Sequence, residues 1–232
     1  MQTAMRRAQQ PSTLSEQSNT TDIAAGALDL MEQYGCTVTV RRAHGIYLHD
    51  QPTEFCWRVL SGCARTVRMM HDGRRQIGEF LWPGDLLGFN DLETYYADAE
   101  AVTDVTLRRY PRRLVEATAE RHAALALLLR TMALVHLRCA QKQNLLLGRK
   151  TAIEKIASFL LDVDRRSTTS GSRLVALPMN RTDIADYLGL SIETVCRNLA
   201  HLQRDGAVVI LRSGIELCDR VALLDVACEA PQ

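Results

Sequence analysis

The seven cysteines of this 232-residue chain (Cys36, Cys56, Cys63, Cys139, Cys196, Cys218 and Cys228) include no CxxC pair. An odd, scattered set excludes a disulfide framework and a structural zinc site, so the thiols are read as reduced. No stretch approaches the ~20 apolar residues of a membrane span. The longest wholly apolar run is Ala123 to Leu129, and Met1 to Ser18 is polar with no signal-type segment. A cytoplasmic protein without a membrane partner is expected. Charge of one sign is also missing, with 28 Lys+Arg against 27 Asp+Glu. A nucleic-acid partner therefore cannot be argued from overall electrostatics and has to come from local pattern. A metal-dependent, cupin-like enzyme lacks its ligands, because His44, His49 and His71 have no matching Glu arrangement. No catalytic set and no metal site are expected.

What is present is ordinary for a soluble globular protein: 47% hydrophobic and 24% charged residues, with length for one large domain or two small ones. Residues 1–21 are rich in Gln, Ser and Thr and read as a mobile tail. From Cys36 to about Tyr110, short alternating runs are separated by Gly-bearing turns. They include Thr37–Val40, Phe55–Leu60, Ala64–Met69, Gln76–Leu81 and Ala101–Leu107, and they predict an antiparallel barrel or sandwich. After Pro111 the texture changes. Leu114 to about Leu147 has neither Pro nor Gly and reads as one long helix. Leu125, Leu128, Met132, Val135, Cys139 and Leu146 fall on steps of three and four or their sum, broken only by Lys142. Such a helix either packs on its own domain or pairs with a copy of itself. Its place between two modules favours a homodimer seam.

Gly148 is expected to reset the chain. Ile153–Leu161 reads as a helix, Arg165–Arg173 as a loop and Leu174–Leu177 as a short strand. Arg181–Leu188 is then a short amphipathic helix stopped by Gly189, with Leu190 as a buried turn residue. Ser191 is an N-cap, and Ile192–Arg204 is a second helix with Val195, Leu199 and Leu202 on its apolar side. Small Ala185 permits close crossing, and Gly189 supplies the sharp angle. Val208–Leu211 and Ile215–Leu217, joined by Arg212-Ser213-Gly214, complete a winged helix-turn-helix. Glu193 and Arg197 stand at i and i+4 near the start of the second helix, the end that enters a major groove. An arginine there can read guanine O6 and N7, and a carboxylate can accept from cytosine. The alternative is a plain surface ion pair. From residue 151 onward there are 9 Lys+Arg against 11 Asp+Glu, so attraction to phosphate rests on Arg181, Arg204 and Arg212.

Gly73-Arg74-Arg75-Gln76-Ile77, Phe80, Pro83-Gly84-Asp85 and Gly88, followed by the unbroken segment Arg181 to Arg197, resemble the Crp/Fnr regulators, and within them the FixK subgroup. The likeness runs over about residues 30–226. It implies an α+β chain with a tail (1–21), a β-roll (jelly-roll, cyclic-nucleotide-binding-like) sensor domain (22–113), a dimerisation helix (114–147) and a winged helix-turn-helix (148–232). It further implies a homodimer on double-stranded DNA at a palindromic TTGAT-like site, recruitment of RNA polymerase and a response to oxygen limitation. DNA contacts are assigned to Arg181, Ser191, Ile192, Glu193, Thr194, Cys196, Arg197, Arg204 and Arg212. Cyclic-nucleotide members hold the phosphate with an acidic residue and an Arg-Ser/Thr pair. Here Asp85 stands near the first, but Tyr95-Tyr96 occupies the place of the second. Iron–sulfur members need clustered N-terminal cysteines, and residues 1–35 contain none. The expectation is a regulator with no bound cofactor, its rival a haem- or small-molecule-dependent one. Cys196, near a helix start that favours an anion, is the candidate redox residue.

Overall fold

The computed structural model describes residues 26–89, 93–166, 174–212 and 214–228. The expected tail, residues 167–173 of the expected loop and Ser213 of the last turn lie outside the described residues.

Eight strands form two four-stranded antiparallel sheets. One has the order β1 (Cys36–Val40), β8 (Val105–Pro111), β3 (Phe55–Ser61), β6 (Leu86–Leu87). The other has the order β2 (Gly45–Tyr47), β7 (Asp98–Ala101), β4 (Ala64–Met69), β5 (Arg75–Leu81). Alternation decides which side chains meet between them: Trp57, Val59, Val105 and Leu107 from the first sheet pack with Ala64, Leu81, Ala99 and Ala101 from the second. Cys56 and Tyr110, out of step with that set, lie under Met31, Val115 and Leu125 on the outer face. The helical segment 26–32 (α1) is held there by Glu32, which accepts from Arg58 Nη2 at 2.6 Å and from the Tyr110 hydroxyl at 2.7 Å. The run Ala101–Leu107 is not one strand. The Val102 and Thr103 N–H groups both donate to the Cys63 carbonyl, at 2.8 and 3.2 Å, and turn the chain from one sheet to the other.

The long helix departs from expectation at both ends. It is two helices, α2 (Arg112–Arg121) and α3 (Ala123–Arg149), separated by His122 in an extended conformation (φ −127°, ψ 99°). The cause is tertiary: Val115 and Leu125 belong to one cluster, yet a straight helix would hold them about 15 Å apart along its axis. Gly148 lies inside the last turn of α3, and the chain leaves the helix at Lys150 (φ −78°, ψ 143°). Of the six residues assigned to a dimer seam, Leu125 is fully buried in its own chain, Leu128 and Met132 pack against the same cluster, and Leu146 packs against the C-terminal core. Cys139 is half-buried, 3.7 Å from Arg166 Nη2. Val135 alone is exposed. The apolar stripe left open is Leu127, Leu134 and Leu145, about a third of a turn further round. Against the expectation drawn from its seven-residue apolar run, α3 holds an 18-residue window of mean hydropathy 1.5, which by length and composition alone would suffice to cross a membrane.

The C-terminal part comprises α4 (Ala152–Arg166), β9 (Leu174–Val175), α5 (Arg181–Leu188), α6 (Ile192–Arg204), β10 (Val208–Leu211), β11 (Gly214–Leu217) and α7 (Arg220–Ala227). α7, capped by Asp219 through the Ala222 N–H at 2.9 Å, was not anticipated. The three short strands pair in the order β10-β11-β9. Gly214 (φ +155°) is required there, because a Cβ would run into the Val175 carbonyl.

Leu125→Ala empties a fully enclosed site and is expected to lower the unfolding free energy by about 2–5 kcal/mol, as measured by chemical denaturation.

Candidate nucleic-acid interface

α5 starts with a capping box: Asn180 Oδ1 accepts from the Asp183 N–H at 2.8 Å, and Asp183 Oδ2 accepts from the Asn180 N–H at 3.3 Å. It ends at Gly189, whose left-handed conformation (φ 62°, ψ 44°) lets the Leu190 N–H reach the Ala185 carbonyl at 3.0 Å. Leu190 is half-buried rather than buried. Ser191 then caps α6, its Oγ accepting from the Thr194 N–H at 3.2 Å. Val195, Leu199 and Leu202 bury themselves against α4 and α5 as expected from their spacing.

The opposite face of α6 is open. Ser191, Ile192, Glu193, Cys196, Arg197 and Arg204 are exposed, and Thr194 is half-buried. Among the described residues no ion pair joins Glu193 to Arg197. Arg197 Nη2 donates to Thr194 Oγ1 at 3.4 Å instead, and the Glu193 carboxyl is held below its usual range by its own backbone N–H and the Ser191 hydroxyl. Both charged groups therefore remain available for base edges. Arg212 is exposed in the β10–β11 turn, and Arg204 lies at the far end of α6. Arg181 is half-buried at the start of α5, where burial lowers its guanidinium pKa.

α5 is also tied to the roll; Arg75, Gln76, Phe80, Asp183, Asp186 and Tyr187 enter the sequence reading only as carriers of the family resemblance, and Arg65, Glu100, Gln143 and Phe159 are not singled out there. Asp183, with its side chain 4% exposed, accepts from Arg65 Nη1 at 2.6 Å and Arg75 Nη2 at 2.8 Å. Arg75 Nε reaches Asp186 Oδ2 at 2.8 Å, and Arg65 Nη2 reaches Glu100 at 2.7 Å. The Tyr187 carbonyl accepts from Gln143 Nε2 at 2.9 Å and Gln76 Nε2 at 3.3 Å. Phe80, Phe159 and Tyr187 form a tilted trio with ring centroids 5.2–6.2 Å apart. The one local signal was the Asn180-x-x-Asp183 cap.

The interior of the roll does not fit a cyclic nucleotide. Tyr47 and Tyr95 stack there with centroids 3.8 Å apart, and the Tyr95 hydroxyl donates to the Phe55 carbonyl at 2.6 Å. A cavity of about 550 Å³ remains between the roll, α3 and α4. Arg166, the one guanidinium among the described residues lining it, is paired with Asp85 and Asp162, each at 3.2 Å. His136, its pKa raised by hydrogen bonding to Glu79, faces that carboxylate at 3.5 Å. A cyclic phosphate would meet carboxylates here rather than a free cation.

A roll joined by a long helix to a winged helix-turn-helix defines a DNA-binding transcription regulator, not an enzyme. A cyclic nucleotide-binding domain matches residues 37–122, and a Crp-like helix-turn-helix domain matches residues 154–226. The nitrogen fixation regulation protein FixK of Azorhizobium caulinodans is 42% identical over 206 residues, 87% of this chain and 83% of that protein. FixK of Bradyrhizobium diazoefficiens is 36% identical over 197 residues, 84% and 83% of the two chains. The structure of FixK2 from Bradyrhizobium japonicum matches with a TM-score of 0.80 at 38% identity, over 85% of this chain and 98% of that one. The chain belongs to the Crp/Fnr family of regulators, in its FixK branch.

Ser191→Ala removes the α6 cap, and a loss of about 0.5–2 kcal/mol is expected, read as a lower melting temperature in thermal denaturation.

Proposed function

We propose that the protein is a cytoplasmic, homodimeric transcription activator that binds a palindromic TTGAT-like site without a bound cofactor and recruits RNA polymerase under oxygen limitation. The observation that carries this reading is the free, capped start of α6, where Glu193 and Arg197 are exposed and not paired with each other. The open stripe of Leu127, Leu134 and Leu145 supports the dimer, since a second copy would cover apolar surface that its own chain leaves bare. Half-sites should then lie about 34 Å apart. The stacked tyrosines and the paired Arg166 support operation without a nucleotide. Relatives named for nitrogen fixation regulation, and a 27% identical "anaerobic regulatory protein" from Pasteurella multocida, support the physiological setting. The second reading, a regulator dependent on haem or another small molecule, draws on the cavity of about 550 Å³. An absorbance spectrum and an operator titration on the same purified sample separate the two, because the proposal requires full binding with no chromophore and no added ligand.

Arg197 is assigned to the guanine of the half-site and Glu193 to opposite-strand bases. Arg197→Ala is expected to cost about 1–3 kcal/mol at the matching base pair and to relax preference there. Equal weakening on all sequences would reassign Arg197 to phosphate. Cys196, exposed beside Arg197, is assigned redox control: oxidation to sulfinate or sulfonate sets a negative charge against DNA. Peroxide should abolish operator binding by wild type and leave Cys196→Ser largely unaffected, whereas equal loss in both proteins would refute the assignment.

A further inference from the structure

α3 and the C-terminal core are joined covalently through the two residues Lys150 and Thr151, the first of them extended. A bond of that kind fixes where the winged helix begins but not how it is turned. Lys150 Nζ also donates to Ser158 Oγ and the Ala227 carbonyl, and Asp85 of the roll pairs with Arg166 of α4, but the most enclosed charges between the roll and the C-terminal core are those at α5. Arg65 from β4 and Arg75 from β5 converge on Asp183, and Arg75 also reaches Asp186 one turn further along. Arg65 and Asp183 are almost fully enclosed, with side chains 12% and 4% exposed. A pair so buried contributes little net stability against apolar replacements, because its desolvation offsets its attraction. It is nonetheless demanding in geometry, since moving one partner strands a buried charge. Asp183 adds a second constraint as a member of the capping box that starts α5. Any rotation of α5 against the roll would break the ion pairs, or break the cap if the Asp183 side chain turned to follow the arginines. The roll meets α3 through the cluster around Leu125 and Leu129, and α3 carries the stripe that a second copy would cover. A rigid path thus runs from the dimer contact through the roll and Asp183 to α6.

We infer that Arg65 and Arg75 are positioning residues whose hold on Asp183 and Asp186 sets the distance and angle between the two recognition helices of the dimer. The inference rests on the ligand-free dimer proposed above. Neither arginine touches DNA. Their loss therefore changes which half-site spacing is accepted, not which bases are read.

The test titrates full-length wild type, Arg75→Glu and the charge-swapped double variant Arg75→Asp with Asp186→Arg against the operator and against versions with one central base pair added or removed. Wild type should bind the altered spacings about tenfold or more weakly than the operator. Arg75→Glu, facing two carboxylates, should lose that discrimination to within about threefold, and the swap should restore part of it, because the new carboxylate pairs with the arginine introduced at position 186 but still faces Asp183. The slope of log affinity on log salt should be the same for all three proteins, because the number of phosphate contacts is unchanged. Small-angle X-ray scattering without DNA gives a second readout, in which Arg75→Glu should show a larger maximum dimension than wild type. If Arg75→Glu does not fold, Arg75→Gln takes its place, removing the charge without repulsion. Intact spacing selectivity with unchanged scattering would overturn the inference, and so would a shallower salt slope. Failure of ligand-free wild type to bind the operator would refute the proposed function instead, and the scattering comparison would then decide the clamp.

Discussion

The placement of α6 depends on how α5 is seated against β5. Helix-turn-helix geometry transmits this directly: Gly189 and the buried Ala185, Val195 and Leu199 lock α6 to α5 as one body. Whatever holds α5 therefore aims the reading surface. Apolar contact through Phe80, Phe159 and Tyr187 brings the two parts together, and the ion pairs at Asp183 choose one orientation among those that greasy surfaces would tolerate. Hydrophobic burial is non-directional. Charged hydrogen bonds at fixed angles are not.

The helix-turn-helix was legible in the sequence because its signals are local. Ser191 as cap, Gly189 as stop and the Val195, Leu199, Leu202 spacing lie within 14 residues of one another, and the observed bounds of α5 and α6 coincide with those read from them. The roll was legible as a class, because alternation in β3, β4 and β5 survives burial, whereas two-residue β6 and three-residue β2 are too short to carry a period. The break at His122 had no local marker, since it answers to a cluster assembled from α1, β3, β8, α2 and α3. The same reasoning applies to the seam: an a/d pattern identifies an apolar stripe, and within the chain Leu125, Leu128 and Met132 pack in the cluster beside the roll, Leu146 packs on the C-terminal core and Val135 stays exposed. Arg65, and the partners of Arg75, stayed hidden for a related reason. Asp183 and Asp186 lie more than a hundred positions away from these arginines, and arginines on strands ordinarily read as solvent-facing.

The roll keeps the outline of a nucleotide-binding domain, and the charged groups lining its cavity are paired with one another. Asp85, in the cassette where an acidic residue is expected, accepts from the Trp82 N–H at 2.8 Å and pairs with Arg166 of α4. A group suited to holding a ligand is spent on closing a turn and tethering a helix. The remaining cavity is walled by Phe80, Phe159 and Tyr187, the same aromatic trio that joins roll to winged helix. Its shape is thus coupled to the domain junction.

Glu32 carries a consequence for the order in which the chain takes shape. Besides Arg58, its partners Arg108 and Tyr110 lie 76 and 78 positions later, and β1 pairs with β8 and no other strand among the described residues. During synthesis α1 and β1 must wait for the last strand of the roll, while β4 and β5 close their hairpin at once. Early segments left without partners expose apolar surface and unpaired edges, and closing so long a loop is slow. The N-terminal part of the roll, made first, is completed last.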